Sequence, residues 1–72
     1  MLMTVGNAAI DPSGVRSATI EESTDWLGMP NGYYIQCKMA DGSRLRIRDR
    51  NGRNFYIPEQ AMKELGRIVK AR

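Results

Sequence analysis

Histidine is absent from this chain and cysteine occurs once, so the residues that most often hold zinc or activate a nucleophile are missing. Zinc sites of the usual Cys/His kind are excluded, as are Ser-His and Cys-His catalytic systems. A lone cysteine forms no intramolecular disulfide. Cys37, on an apolar strand face, reads as a small buried hydrophobe rather than a reactive thiol, since no imidazole is present to activate it. No apolar run approaches the roughly 18 residues that span a bilayer, and the start MLMTVGNAAI lacks the basic flank and long apolar stretch of a signal peptide. No membrane partner is expected, and a cytoplasmic protein is the default. Phosphate-loop chemistry is missing too, because no glycine opens a helix with the required Lys and Ser/Thr spacing. The carboxylates Asp11, Glu21, Glu22, Asp25, Asp41, Asp49, Glu59 and Glu64 are scattered, and the adjacent Glu21 and Glu22 would point to opposite faces of a strand. The expectation is a protein that is not an enzyme and carries no cofactor and no metal.

What the chain does have is a lopsided charge. A formal net charge of +3 and a pI near 9.4 are mild, so the total says little about a polyanionic partner. The distribution says more. Residues 1–36 hold Arg16 as their only cation against Asp11, Glu21, Glu22 and Asp25, and every other lysine and arginine lies in 37–72. Seventy-two residues make a single domain, 1–72, whose core is small at this length. A homodimer is one way to reinforce it.

The organising stretch is 33–57, YYIQCKMADGSRLRIRDRNGRNFYI, which reads as a three-strand meander with two Gly-containing turns. Odd positions Tyr33, Ile35, Cys37, Met39, Leu45 and Ile47 are apolar, and even positions Tyr34, Gln36, Lys38, Arg44, Arg46 and Arg48 are polar or amphipathic. That is the period-two signature of half-buried strands. Directly opposed residues share a face, so a two-residue Asp41-Gly42 turn would set Met39 against Arg44 and mix core with guanidinium groups. A three-residue Ala40-Asp41-Gly42 loop with Gly42 left-handed instead pairs Cys37 with Leu45 and Ile35 with Ile47. By the same logic a three-residue Arg50-Asn51-Gly52 loop sets Ile47 opposite Phe55 and Leu45 opposite Ile57. The inner face is then Tyr33, Ile35, Cys37, Met39, Leu45, Ile47, Phe55 and Ile57; the outer face is Tyr34, Gln36, Lys38, Arg44, Arg46, Arg48, Asn54 and Tyr56.

Around this meander the remaining segments take simpler roles. Residues 1–10 read as a frayed start or a short edge strand, and Asp11-Pro12-Ser13-Gly14 as a turn. VRSATIEE, 15–22, predicts an additional strand with Ala18 and Ile20 inward, although Val15 falls on the other parity. Pairing of that strand with the meander could bring Glu21 and Glu22 to the arginines and neutralise part of the basic face. Ser23-Thr24-Asp25 before Trp26-Leu27-Gly28 predicts an N-capped single helical turn, with Trp26 covering one end of the core. Met29-Pro30-Asn31-Gly32 leads into the meander. Pro58 suits the first position of a helix over 58–69, with Ala61, Met62, Leu65, Ile68 and Val69 as its apolar stripe and Lys63, Arg67, Lys70 and Arg72 on its solvated side. Gly66 interrupts that helix, as a cap or as a point of close approach to the sheet. The predicted fold class is α+β: a small antiparallel sheet of three to four strands with one C-terminal helix on one face.

Functionally, the outer sheet face stands out. Lys38, Arg44, Arg46 and Arg48 would neutralise phosphates, Tyr34 and Tyr56 offer rings on which single-stranded bases stack, and Arg50 and Arg53 at the turn extend the patch. The plainer reading is that outward arginines keep a sheet soluble and discourage edge pairing. Three partners fit at this stage: nucleic acid, single-stranded or structured; an acidic protein surface bound by a small regulator or inhibitor; or other copies in a structural assembly. Gly52-Arg53, Ile57-Pro58 and Leu65-Gly66 resemble the AbrB-type swapped-hairpin DNA-binding motif. The likeness is confined to 52–66 and its spacing departs from that family's between Gly52 and Ile57, so it is set aside as chance and no residue role is carried over from it.

Overall fold

The chain runs β1 (Met3–Val5), β2 (Ala8–Ile10), a single 3₁₀ turn (Pro12–Gly14), β3 (Val15–Thr24), β4 (Pro30–Met39), β5 (Arg44–Ile47) and α1 (Pro58–Ala71), in a computed structural model that describes all of residues 1–72. It is an α+β fold. β1 and β2 form a two-stranded antiparallel sheet, and β3, β4 and β5 a three-stranded antiparallel sheet in that order. The register between β4 and β5 is the one that alternation demands: Cys37 faces Leu45 and Ile35 faces Ile47, across an Ala40-Asp41-Gly42 loop in which Gly42 has a φ of 91°. Ile35, Cys37 and Ile47 are fully buried, Tyr33, Met39 and Leu45 are half-buried against them, and the arginines of β5 point the other way. Val5, Ile10, Val15, Phe55, Ala61 and Ile68 complete the core, so every strand and the helix contribute to it.

β3 explains its own irregular parity. Val15 pairs with Met39 and Ser17 with Lys38, which leaves Arg16 as an extra residue in a β-bulge. The bulge turns Val15 back into the core, where it is 3% exposed. The guanidinium of Arg72, just past the helix, donates to the Arg16 carbonyl at 3.0 Å and ties the end of α1 to that bulge. The strand predicted over 15–22 therefore exists, two residues longer, and pairs with β4 along its whole length.

Three expectations need correction. Residues 53–57 do not form a third meander strand against β5. The chain leaves the sheet at Arg48, makes a closed loop and returns to the same edge of β4, where Phe55 and Tyr33 exchange both backbone hydrogen bonds (2.8 and 2.7 Å). Asp49 closes the loop: its carboxylate accepts the N–H groups of Asn51 and Arg53 at 2.9 Å each, and its own N–H donates to the Arg53 carbonyl at 2.8 Å. Tyr33, Ile47 and Phe55 all have inward parity, so alternation is satisfied by either partner and could not choose between them. Ile57, expected inside, is 44% exposed and caps the helix.

Of the two readings of residues 1–10, the frayed start is wrong, and the short strand is present as two strands rather than one. They form the β1–β2 hairpin, which delivers Val5 and Ile10 to the core and docks its turn on the end of β5. Asn7 N–H donates to the Arg48 carbonyl (3.1 Å), and Arg48 N–H donates to Asn7 Oδ1 (2.9 Å). Gly6 makes this possible. Its φ is +55°, and a Cβ there would lie 1.9 Å from the Arg48 carbonyl oxygen.

The segment 23–28 is not a helical turn, and Trp26 does not cover the core. β3 continues to Thr24, and Asp25 to Met29 form the tip of a long β3–β4 ribbon on which Trp26 is 91% exposed. The capping signal at Asp25 is real, since its carboxylate accepts the N–H groups of Leu27 and Met29 (2.9 Å each). Only two residues separate it from the φ = 80° glycine at 28, too few to nucleate a helix. The same five-residue arrangement recurs at Asp49 to Arg53. The C-terminal helix is continuous through Gly66 and ends at Ala71. It rests on β3, β4, the 3₁₀ turn and β1 through Ala61, Leu65 and Ile68, while Met62 and Val69 of the predicted stripe are exposed.

Candidate functional site

The face of the three-stranded sheet turned away from α1 carries rows set by register. Ser17, Lys38 and Arg44 make one row, and Thr19, Gln36 and Arg46 the next; Glu21 and Tyr34 make the third, beyond which Arg48 continues the outward parity of β5. Lys38 and Arg44 line a shallow depression with Ser17, Thr19, Gln36 and Glu21. Like charges so placed repel one another. No carboxylate comes within ion-pair distance of these cations: the molecule has two ion pairs, one between the N-terminal amine and Asp11 and one between Arg67 and Glu64, and neither lies on this face. Glu21 lies on the face but takes a hydrogen bond from the Thr19 hydroxyl (3.2 Å), and Glu22 has the opposite parity, across from Tyr33. Neither glutamate pairs with an arginine.

Tyr34 and Arg46 form a unit. The guanidinium carbon of Arg46 sits 4.4 Å from the centroid of the Tyr34 ring, a cation–π contact that covers one side of the aromatic. A base would meet the guanidinium plane there rather than the ring, and such planes also support stacking.

At the far end of the face lies a cavity of about 500 Å³, walled by Arg48, Arg53, Asn54, Tyr56, Gly32 and Gly52 among others. Arg48 is half-buried and held from two sides. Its backbone is clasped by Asn7, and its Nε–H donates to Asn54 Oδ1 at 3.1 Å. The Asn54 amide is itself oriented by donating to the Asn31 carbonyl at 2.8 Å. Tyr56 is 89% exposed. Gly32 supplies bare backbone because a Cβ there would lie 2.7 Å from the Phe55 carbonyl oxygen.

The expected site residues thus divide. Lys38, Arg44, Arg46 and Arg48 share one face with Tyr34, and Arg53 and Tyr56 join Arg48 at its end. Arg50 is the exception. The Asp49 loop turns it to the other side of the molecule, where it lines a small cleft with Thr4, Gly6, Phe55, Glu64 and Arg67. Asn7, Asn31 and Asn54 organise the site; alternation places Asn54 on the outer face but gives it no role there, and it does not point to Asn7 or Asn31. The Gly6-Asn7 dipeptide was a turn signal of the kind that closes a hairpin; its long-range role had no local sign. No three acidic or cysteine side chains converge to hold a metal ion, and no helix is long and apolar enough to cross a membrane. Comparison with protein-family models, with curated proteins and with solved structures finds no match.

Proposed function

We propose that this protein is a non-enzymatic cytoplasmic binding module that takes nucleic acid on the outer sheet face. The observation that carries the reading is a cluster of four cations, Lys38, Arg44, Arg46 and Arg48, on one sheet face with no carboxylate within ion-pair distance. Exposed like charges at alternate strand positions oppose folding slightly, and a polyanion relieves them by displacing its own condensed counterions. Arg46 is held over the Tyr34 ring and Arg48 is fixed by two asparagines, so part of the ordering needed for phosphate binding precedes the ligand. Exchanging Arg44, Arg46 and Arg48 together for Ser should weaken binding to a labelled oligonucleotide and flatten the plot of log affinity against log salt, by a slope of about one for each phosphate contact removed. Unchanged affinity and slope would refute the mechanism.

A second reading has its own support. Trp26, Leu27 and Met29 are 91%, 65% and 59% exposed on a ribbon tip that Asp25 holds rigid, and bare aromatic and aliphatic groups on a stiff projection suit a protein pocket. In that case the protein is a small regulator or inhibitor, its arginine face set against an acidic protein surface. Retention of partners from lysate after nuclease treatment favours this reading, and loss of all partners favours the first.

A further inference from the structure

We infer that the cavity walled by Arg48, Arg53, Asn54, Tyr56, Gly32 and Gly52 is the seat of one unstacked nucleotide, so that the face takes single-stranded or looped nucleic acid in preference to duplex. The inference rests on the nucleic-acid reading above and adds the form of the ligand and the place where its specificity is set.

The volume, about 500 Å³, lies in the range of small-ligand sites and accommodates a base with its sugar and phosphate. The phosphate position is defined by Arg48. Its Nε is occupied by Asn54, its backbone N–H and carbonyl are occupied by Asn7, and its two terminal Nη groups make no hydrogen bond within the molecule. A guanidinium held by Nε and free at both Nη groups is a fork aimed outward, the geometry that grips a phosphate through parallel hydrogen bonds. Because the Asn54 amide is already locked on the Asn31 carbonyl, the fork is set before any ligand arrives. Arg53 adds a second cation to the same wall, and no carboxylate lines the cavity.

The base position is defined by Tyr56. Its ring is almost wholly exposed although it lies beside the buried Phe55, and it bounds a cavity whose other walls, Pro30 apart, are polar side chains or glycine backbone. A base reaches the face of that ring only when its own neighbour has been unstacked, which duplex geometry forbids and a single strand or loop permits. Gly32 and Gly52 leave room for it, and at Gly32 the neighbouring Phe55 carbonyl excludes any larger residue. Arg46 on Tyr34 and then Arg44 with Lys38 continue along the sheet from this cavity, so a strand anchored in it can run over the remaining cations.

The test is fluorescence anisotropy with a labelled oligothymidine, a labelled oligouridine and a blunt duplex of matched length, on the parent protein, Tyr56→Leu, Asn54→Ala and the triple Arg→Ser variant. A thermal melt of each variant accompanies the titrations. The expected result is that the parent prefers the single strands by about tenfold or more, and that Tyr56→Leu lowers single-strand affinity by about fivefold or more while duplex affinity stays level. Asn54→Ala should act in the same direction by freeing Arg48. Tyr56 is exposed, so its variant folds as the parent does and keeps the test decisive even where Asn54→Ala melts early. Equal affinity for single strand and duplex, or an unaltered Tyr56→Leu titration alongside a weakened triple variant, overturns the nucleotide seat and leaves the basic-face reading standing. Absence of binding to all three probes overturns both.

Discussion

Cys37 shows how one buried side chain ties chemistry to stability. It is fully buried on the inner face of β4, and burial pushes its thiol above the ordinary range because the thiolate is the form that suffers from desolvation. A raised folded-state value means that the unfolded chain gives up its proton first. The thiol therefore leaves stability untouched below the unfolded value of about 8.5 and erodes it as pH climbs above that point. We expect the melting temperature to fall above that pH with a steeper slope in the parent than in Cys37→Ala, and a thiol reagent to react stoichiometrically only after denaturant is added. Rapid modification of the native protein would show that the inner face is open. Asp11 and Asp41 illustrate the opposite shift at the surface, where a hydrogen bond from the hydroxyl of Ser13 or Ser43, then one from the same residue's backbone N–H, holds each carboxyl below its usual range.

Among the elements, two glycines contrast. Gly66 lies in the middle of α1 with open space where a Cβ would go, so it is neither a cap nor a point of close approach. Gly66→Ala should stabilise the protein by about 1 kcal/mol, through helix propensity and a less flexible unfolded chain. Gly6→Ala should do the reverse by more than about 2 kcal/mol, because a left-handed backbone and a carbonyl oxygen both exclude the methyl group. Chemical denaturation of the two variants beside the parent measures both. A mild effect at Gly6 would mean that the β1–β2 hairpin does not dock on Arg48 as described. The Asp25 and Asp49 loops share a further lesson: each follows the pattern Asp, two residues, Gly, and in both the carboxylate rather than a strand partner satisfies the loop N–H groups.

For the whole molecule, the extents of 38 × 23 × 17 Å describe a flattened, elongated body with the cations of β4 and β5 on one broad side. Cations without partners on that side predict a response to ionic strength. The melting temperature should rise between about 50 and 500 mM sodium chloride as repulsion is screened, and the triple Arg→Ser variant should lose most of that rise. A parent melting temperature that stays level or drops over the same range would mean that the arginines do not strain the free protein. Such a result removes the physical argument that they await a polyanion.

Sidedness was legible before the fold was known. In β4 and β5 a period of two, together with the requirement that opposed residues share a face, rules out the two-residue turn and favours the three-residue loop that keeps arginine out of the core. The helix was equally legible from Pro58 and its apolar spacing. Tertiary structure decided the rest, because parity constrains the face of a residue and says nothing of its partner strand. It brought Phe55 to β4 instead of β5, turned Arg50 away from the patch, and left Trp26 in solvent. It alone brought Asn7 to Arg48 and Asn31 to Asn54, contacts that join residues far apart in the chain and leave no periodic trace in the order of amino acids.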